Sequence, residues 1–469
     1  MSKIFGGRMQ RGVVCFALIL CSALPLRAET LAEALAAAYT HSGLIEQNRA
    51  LLRAADEDVA LAASKLRPIL SWSSSMTRSF GKTRSTLGLR ASSATSTAAA
   101  GLSAELLVYD FGASKIAVLS KKEAVLATRQ KLLSVEQKVL LRAVEAFMTV
   151  RRDTEKVALR RSNLDLIKEE LRAAKDRFEV GEVTRTDVAL AEARLAASGS
   201  ALAAAEGALQ IAVEEYDAIV GHRPKALNAS YPGLKSVTDL AAAKSAAVRQ
   251  HPDMKEVQHN VKIAELAVKK AELERRPQIK LSGSYGLSDD LGSQGYSRSG
   301  SIKLGVTGPI YQGGALPARL RRALAQRDSA RYGLYLIGLG IEQNVGNAFA
   351  RLRVATAAKT AGALQIRAAR VAFQGVREEA SLGARTTLDV LNAEQELLDA
   401  ENAMVSALAD EQIAGYNLVA AMGLMTADRL GLNVPKYDPS AYYTSQQGGK
   451  IMSQQGKKLE RILKALGKK

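Results

Sequence analysis

Apolar residues recur at three- and four-residue spacing along an unusually long stretch of this chain, from residue 113 to about 180. Val118, Val125, Leu132, Val135, Val139 and Leu140 fall on one helical stripe there. A second stretch of the same kind covers residues 316–382, with Pro317 placed as a first-turn residue. Proline in a helix interior costs ~3 kcal/mol, and none of the ten prolines falls between Pro68 and Pro224 or between Pro317 and Pro435. At 1.5 Å per residue, about 67 residues make a rod of roughly 100 Å. A single globular domain has no use for such a rod.

Ahead of each rod the period changes from near four to two. Ile279, Leu281, Gly283 and Tyr285 alternate with Lys280, Ser282 and Ser284, and Ile302, Leu304 and Val306 alternate with Lys303 and Gly305. In the first half Leu102, Ala104, Leu106 and Val108 alternate with Ser103 and Glu105. One apolar face sustained over about 9 to 11 residues is what a transmembrane β-strand requires, and a polar middle suits an exposed loop. Residues 68–109 and 277–311 thus predict two hairpins and four strands per chain. Four strands cannot close, and open sheet edges are not tolerated in lipid. The chain must therefore combine with copies of itself, and three copies supply about twelve strands, within the range of such barrels. The competing reading is an ordinary hairpin on a helical protein outside the membrane.

Both patterns occur twice in one register. A shift of 202 residues lays Tyr109, Gly112 and Ala113 on Tyr311, Gly314 and Ala315. The same shift lays Gly181, Thr184, Asp187, Val188, Ala191, Glu192 and Leu195 on Gly383, Thr386, Asp389, Val390, Ala393, Glu394 and Leu397. An unbroken register across the rods makes each repeat length-constrained. Each rod stops at a glycine, Gly181 or Gly383, that takes a left-handed conformation, and a following threonine caps the next helix. The returning helices, 186–220 and 387–422, are near half the rod's length. The other half precedes each hairpin, in 31–66 and 240–275, so two short helices stacked end to end match one long one. The fold class is mostly α with a small β part. The chain divides into a leader (1–28), a first repeat (29–232), a second repeat (233–434) and a basic tail (435–469). Gly333, Gly338, Gly340 and Gly346 weaken the second rod locally, and close helix packing is the reading for them.

Composition narrows the class. Lys3, Arg8 and Arg11 precede an apolar stretch over residues 13–24, then Pro25 and a small residue, Ala28, where cleavage falls. That is a secretory signal peptide, its apolar run being shorter than the ~20 residues of a spanning helix. Both cysteines, Cys15 and Cys21, lie inside it, so the mature chain holds no disulfide and no thiol chemistry. Loss of Lys3, Arg8, Arg11 and Arg27 takes the net charge from +18 to +14. Such charge suits nucleic acid or an anionic surface, but export and an aromatic content of 5% argue against nucleic acid. Part of the excess lies after Pro435, in a tail whose composition indicates disorder with a short amphipathic helix over 459–466.

Catalytic chemistry is missing from the pattern. His41, His222, His251 and His259 are scattered without metal-ligand spacing. Gly81-Lys82-Thr83 resembles the end of a phosphate-binding loop, yet Met76 occupies the place of the required glycine. No nucleophile and base pair stands out, so the chain is expected to be no enzyme, to need no cofactor, and to act as a passive conduit.

Together, the leader, the repeated order of short helix, hairpin, long helix and short helix, the glycine tips, and the Tyr-Asp-Phe-Gly-Ala and Tyr-Gln-Gly-Gly-Ala turns into the rods resemble the TolC-type outer-membrane factor family. The likeness covers residues 29 to about 432. Residues 375–423, with Arg385-Thr386-Thr387-Leu388-Asp389-Val390-Leu391-Asn392-Ala393-Glu394, are most similar to type I secretion and multidrug efflux members of alphaproteobacteria. The resemblance implies a homotrimer in the outer membrane of a Gram-negative bacterium, a twelve-stranded barrel continued by a twelve-helix tunnel. It implies a periplasmic adaptor joined to an inner-membrane pump of ABC or RND type. By position, Val180, Gly181, Thr184, Leu382, Gly383 and Thr386 become the adaptor-docking tips. Asp187 and Arg385 match a salt bridge that keeps the gate closed, and Asp389 a constricting acid ring. A second acid and a tyrosine of the family pattern fall here on Asn392 and Ala380, implying a less acidic constriction held by fewer links. For Asp187 and Asp389, helix capping is the plainer role. A structural coiled-coil protein of the envelope is the alternative function, and it leaves the alternating hairpins unexplained.

Overall fold

The structure is a computed structural model describing residues 28–442, apart from positions 85, 87, 89, 229–238, 293–294, 436 and 440–441. The leader up to residue 27, with its two cysteines, and the tail beyond 442 lie outside the described residues. Chain order is α1 (Leu31–His41), α2 (Gly43–Ser64), β1 (Ile69–Arg84), β2 (Arg90–Tyr109), α3 (Ala113–Glu179) and α4 (Arg185–Val220). It continues with α5 (Leu240–Gln250), α6 (Pro252–Leu273), β3 (Gln278–Asp290), β4 (Tyr296–Thr307), α7 (Ala315–Ser381) and α8 (Thr387–Ala421). The two rods, α3 and α7, are each 67 residues long.

Each short leading helix is broken in two, where the sequence pattern predicted one. Ser42, with φ −63° and ψ 106°, leaves the helical region, and its hydroxyl accepts from the Ile45 N–H at 3.4 Å, ending α1 and capping α2. In the second half His251 does the same through Nδ1, which accepts from the Asp253 N–H at 3.2 Å, and Pro252 takes the first helical position. Helical periodicity runs through both breaks because each costs only one residue of register.

The four strands form one antiparallel sheet in the order β1-β2-β3-β4. Its register sorts the side chains cleanly. Trp72 faces Leu102, which faces Tyr285, and Leu281 faces Leu106 and Leu304. Since alternate residues share a face, that side carries Leu70, Trp72, Met76, Phe80, Ile302 and Leu304, all exposed, Phe80 at 83% and Ile302 at 86%. The opposite side is lined by serines: Ser71, Ser73, Ser75, Ser103, Ser282 and Ser301. Ser284 and Ser301 hydrogen-bond at 2.9 Å across β3 and β4, and Lys280 Nζ donates to Glu105 Oε1 at 2.8 Å. β1 and β4 are edge strands.

The main core sits midway along the rods. Leu31, Leu35 and Ile45 of α1 and α2 pack there with Leu140, Val144 and Phe147 of α3, Tyr216 of α4 and Met425 of the C-terminal segment. That segment is tied in by the Ala427 N–H, which donates to the buried Glu136 at 2.6 Å. One of the rod glycines answers to close packing: a Cβ on Gly338 would meet Met254 at 3.2 Å, while one on Gly346 would make ordinary contact with Lys244 at 3.5 Å and Gly333 and Gly340 face open space. One described helix, α4, is long and apolar enough to cross a membrane by composition. It lies along α3, with Lys175–Glu192 and Arg161–Glu206 ion pairs at 2.9 Å bridging the two.

Candidate functional site: the helical tips

Far from the sheet, both rods end in the same backbone construction. Val180 closes α3, Gly181 takes φ 80°, its N–H donates to Phe178 O at 3.0 Å, and the Glu182 N–H donates to Arg177 O at 2.9 Å. In α7 Gly383 takes φ 76°, its N–H donates to Ala380 O at 3.1 Å, and the Ala384 N–H donates to Glu379 O at 2.9 Å. This double bond around a left-handed glycine satisfies carbonyls that a helix end would leave open. It also fixes the exposed Val180 and Leu382 (71% and 84%) at the two extremities.

The restart is equally matched. Asp187 Oδ2 accepts from the Thr184 N–H at 2.9 Å and the Thr184 hydroxyl at 2.7 Å, and Thr184 Oγ1 accepts from the Asp187 N–H at 3.3 Å. Thr386 and Asp389 repeat the box at 3.0, 2.8 and 3.2 Å. These bonds favour the charged carboxylates: Thr184 holds Asp187 below the usual range, and Thr386, helped by Arg385, does the same for Asp389. Only Oδ2 of each is used among the described residues. Arg385 turns back, its Nε donating to Glu379 Oε2 at 2.8 Å, which raises the guanidinium's affinity for its proton. Among the described residues no ion pair joins Asp187 to Arg385 within the chain. Ala380 is buried against Phe373 and Val390.

Just above the tips the two coils are joined by contacts that sequence pattern did not single out. Arg194 Nη2 of α4 donates to Asn392 Oδ1 of α8 at 3.0 Å. Asn163 Nδ2 of α3 donates to Glu394 Oε1 of α8 at 2.5 Å, and Ser198 of α4 donates to Asn163 Oδ1 at 2.9 Å. Arg377 of α7 lies 3.7 Å from Glu170 of α3. Leu166 of α3 packs into the Phe373, Val390 and Leu397 cluster. Glu394 is 5% exposed, and among the described residues its Oε2 has no hydrogen-bond partner. Burial pushes its pKa to about 7, with Glu170 adding to the rise and Asn163, Arg194 and Arg377 opposing it. Its membership of the repeated set was the one visible signal.

Among the described residues no group of His, Cys, Asp or Glu is arranged to hold a metal ion. The tips thus combine capped helix ends and exposed apolar extremities with a polar seam between the coils.

The family model described as outer membrane efflux protein matches residues 35–222 and 244–424. The outer membrane efflux protein BepC of Brucella suis is 35% identical over 417 residues, 88% of this chain and 90% of that one. The alkaline protease secretion protein AprF of Pseudomonas aeruginosa is 24% identical over 61% of this chain and 62% of its own. In fold, the chain is similar to the CmeC outer membrane channel of Campylobacter jejuni, with TM-score 0.74, 16% identity and 89% of each chain covered.

Proposed function

The chain belongs to the outer membrane efflux protein family, a family of channels rather than enzymes, and from that premise we propose that three copies form the outer-membrane exit duct of a tripartite efflux or type I secretion system. The halves 29–232 and 233–434 each contribute two strands and one coil. Three sheets side by side make a twelve-stranded barrel, and six coils make a twelve-helix tunnel through the periplasm. The observation that carries this reading is the sheet. It has an exposed apolar face, a serine-lined face and two unpartnered edges, on rods of equal length. A barrel is the arrangement that puts the first face in lipid, the second around water and leaves no edge open.

At the far end, Val180, Gly181, Thr184, Leu382, Gly383 and Thr386 offer apolar knobs on rigid turns, which suits docking of a periplasmic adaptor carried by an ABC or RND pump. Asp187 and Asp389 each keep one carboxylate oxygen beyond their caps. Arg385, paired locally with Glu379, lies within one turn of the tip and can exchange that partner for the acid of a neighbouring coil. Asn392, already bound by Arg194, makes the constriction less acidic. The conduit is passive, and its energy comes from the pump. An efflux role is supported by the BepC likeness and a protein-secretion role by the weaker AprF likeness.

The test is single-channel conductance of the mature protein in planar bilayers beside Arg385→Ala. Small steady pores that widen a few-fold on substitution are expected. Absence of conductance from folded protein retires the duct, and pores indifferent to the substitution retire Arg385 as a latch.

A further inference from the structure

The strands are longer than a bilayer needs, and what the surplus carries is chemically specific. β1 runs for 16 residues, whereas about 9 to 11 tilted residues cross the hydrocarbon. Counted from the end joined to the helices, the crossing is complete near Arg78, nine positions past Ile69. Arg78 lies on the same face as Leu70, Trp72 and Met76, and Lys82 and Arg84 continue that face beyond Phe80. Arg90, which Arg84 faces in register on β2, adds a fourth outward cation. On the other edge strand Arg298 lies nine positions back from Thr307, as Arg78 lies nine positions past Ile69. It faces Leu287 of the apolar side and stacks 5.2 Å from the Tyr296 ring centroid. All five side chains are exposed. Among the described residues none of them makes an ion pair, although Asp289 shares their face. Apolar side chains lie below, Arg78 and Arg298 stand at the boundary just below the aromatic Phe80 and Tyr296, and Lys82, Arg84 and Arg90 lie above them, which gathers acyl-chain contacts, aromatics and cations as an interfacial lipid site does.

We propose that Arg78, Lys82, Arg84, Arg90 and Arg298 form a belt that binds the phosphate groups of a phosphorylated glycolipid in the outer leaflet. This rests on the barrel reading above. There β4 of one copy meets β1 of the next, which gathers Arg298 of one subunit and Arg78 of its neighbour at one seam, where a lipid phosphate can bridge them. Guanidinium forks suit phosphate oxygens in paired geometry. An apolar face directly beneath holds the acyl chains of the same molecule, which a free anion does not need.

The experiment is native mass spectrometry of the detergent-purified wild-type oligomer with a bisphosphorylated lipid A and with the same lipid dephosphorylated. Arg78→Ala/Lys82→Ala/Arg298→Ala and the charge-keeping Arg78→Lys/Arg298→Lys run alongside, and each preparation is first checked for conductance. Retention of the phosphorylated lipid is expected to exceed that of the dephosphorylated one by about tenfold or more, to fall in the alanine variant and to persist in the lysine variant. Equal retention of the two lipids by wild type, which needs no variant to fold, overturns the belt. So does displacement by millimolar inorganic phosphate alone, which would make this a free-anion site. Wild-type oligomers that conduct but do not discriminate between the two lipids, or alanine-variant oligomers that conduct and discriminate as well as wild type, retire the belt and leave the duct standing. Oligomers that do not conduct retire the duct instead.

Discussion

Glu192 meets Lys175 at 2.9 Å on an exposed face, while Glu394, its counterpart in the second half, is enclosed between the coils and bonded to Asn163. The same residue type in the same repeat position therefore meets different surroundings. Glu394 has a folded pKa of about 7 against ~4.3 in an open chain. A raised acid binds its proton more tightly when packed. Its contribution is fully favourable below the unfolded value, declines as pH rises through that window, and levels off above about 7. Amide hydrogen exchange around residues 163–170 and 390–398, corrected for intrinsic rate, should accelerate between about pH 5 and about pH 8 in wild type. Glu394→Gln should abolish that change. Equal acceleration in the variant would assign it to another group. At the neighbouring cap, Thr184→Ala is expected to cost about 1 kcal/mol locally, seen as faster exchange at Asp187 and Val188 with the midcore unaffected. The caps were legible because Thr and Asp three apart carry their own mechanism. The Glu394 contact was not, because it depends on which face of α8 meets α3, a matter of coil against coil that local spacing does not encode.

Among the elements, the strands test the two-faced sheet most directly. Ile302 and Ser301 are adjacent in β4 but belong to opposite sides. Ile302→Arg should destabilise the folded protein in liposomes by ~2–4 kcal/mol, the cost of a cation at the lipid midplane. Ser301→Arg should leave stability nearly unchanged and alter conductance instead. Denaturant unfolding of both variants in the same vesicles decides it, and equal costs would mean the faces do not separate lipid from water. Alternation in β3 and β4 was plain from sequence, whereas β1 is so rich in serine that Trp72, Met76 and Phe80 reveal their common face only once the register with β2 is known. The breaks at Ser42 and His251 were similarly hidden. A serine or histidine that caps one helix while ending another looks, in a helical wheel, like any polar residue on the outer side.

For the molecule as a whole, the equal rods were readable because proline is absent from both and because the glycine tips keep one register. The distribution of burial was not. Large buried side chains gather midway along the rods, where α1, α2 and the segment after α8 wrap them, while the tips hold only small clusters. The tip opening proposed above therefore has a firm fulcrum and little core to disrupt, and slow exchange at Leu140–Phe147 with fast exchange at the tips is the expected profile. The unpartnered edges of β1 and β4 carry a further consequence, for inheritance rather than mechanics. In the trimeric barrel proposed above, if every member must be sound, a cell making normal and strand-defective copies in equal amounts assembles only about one wholly normal barrel in eight. A lesion in β1 or β4 that still permits association should thus behave as dominant over the intact gene.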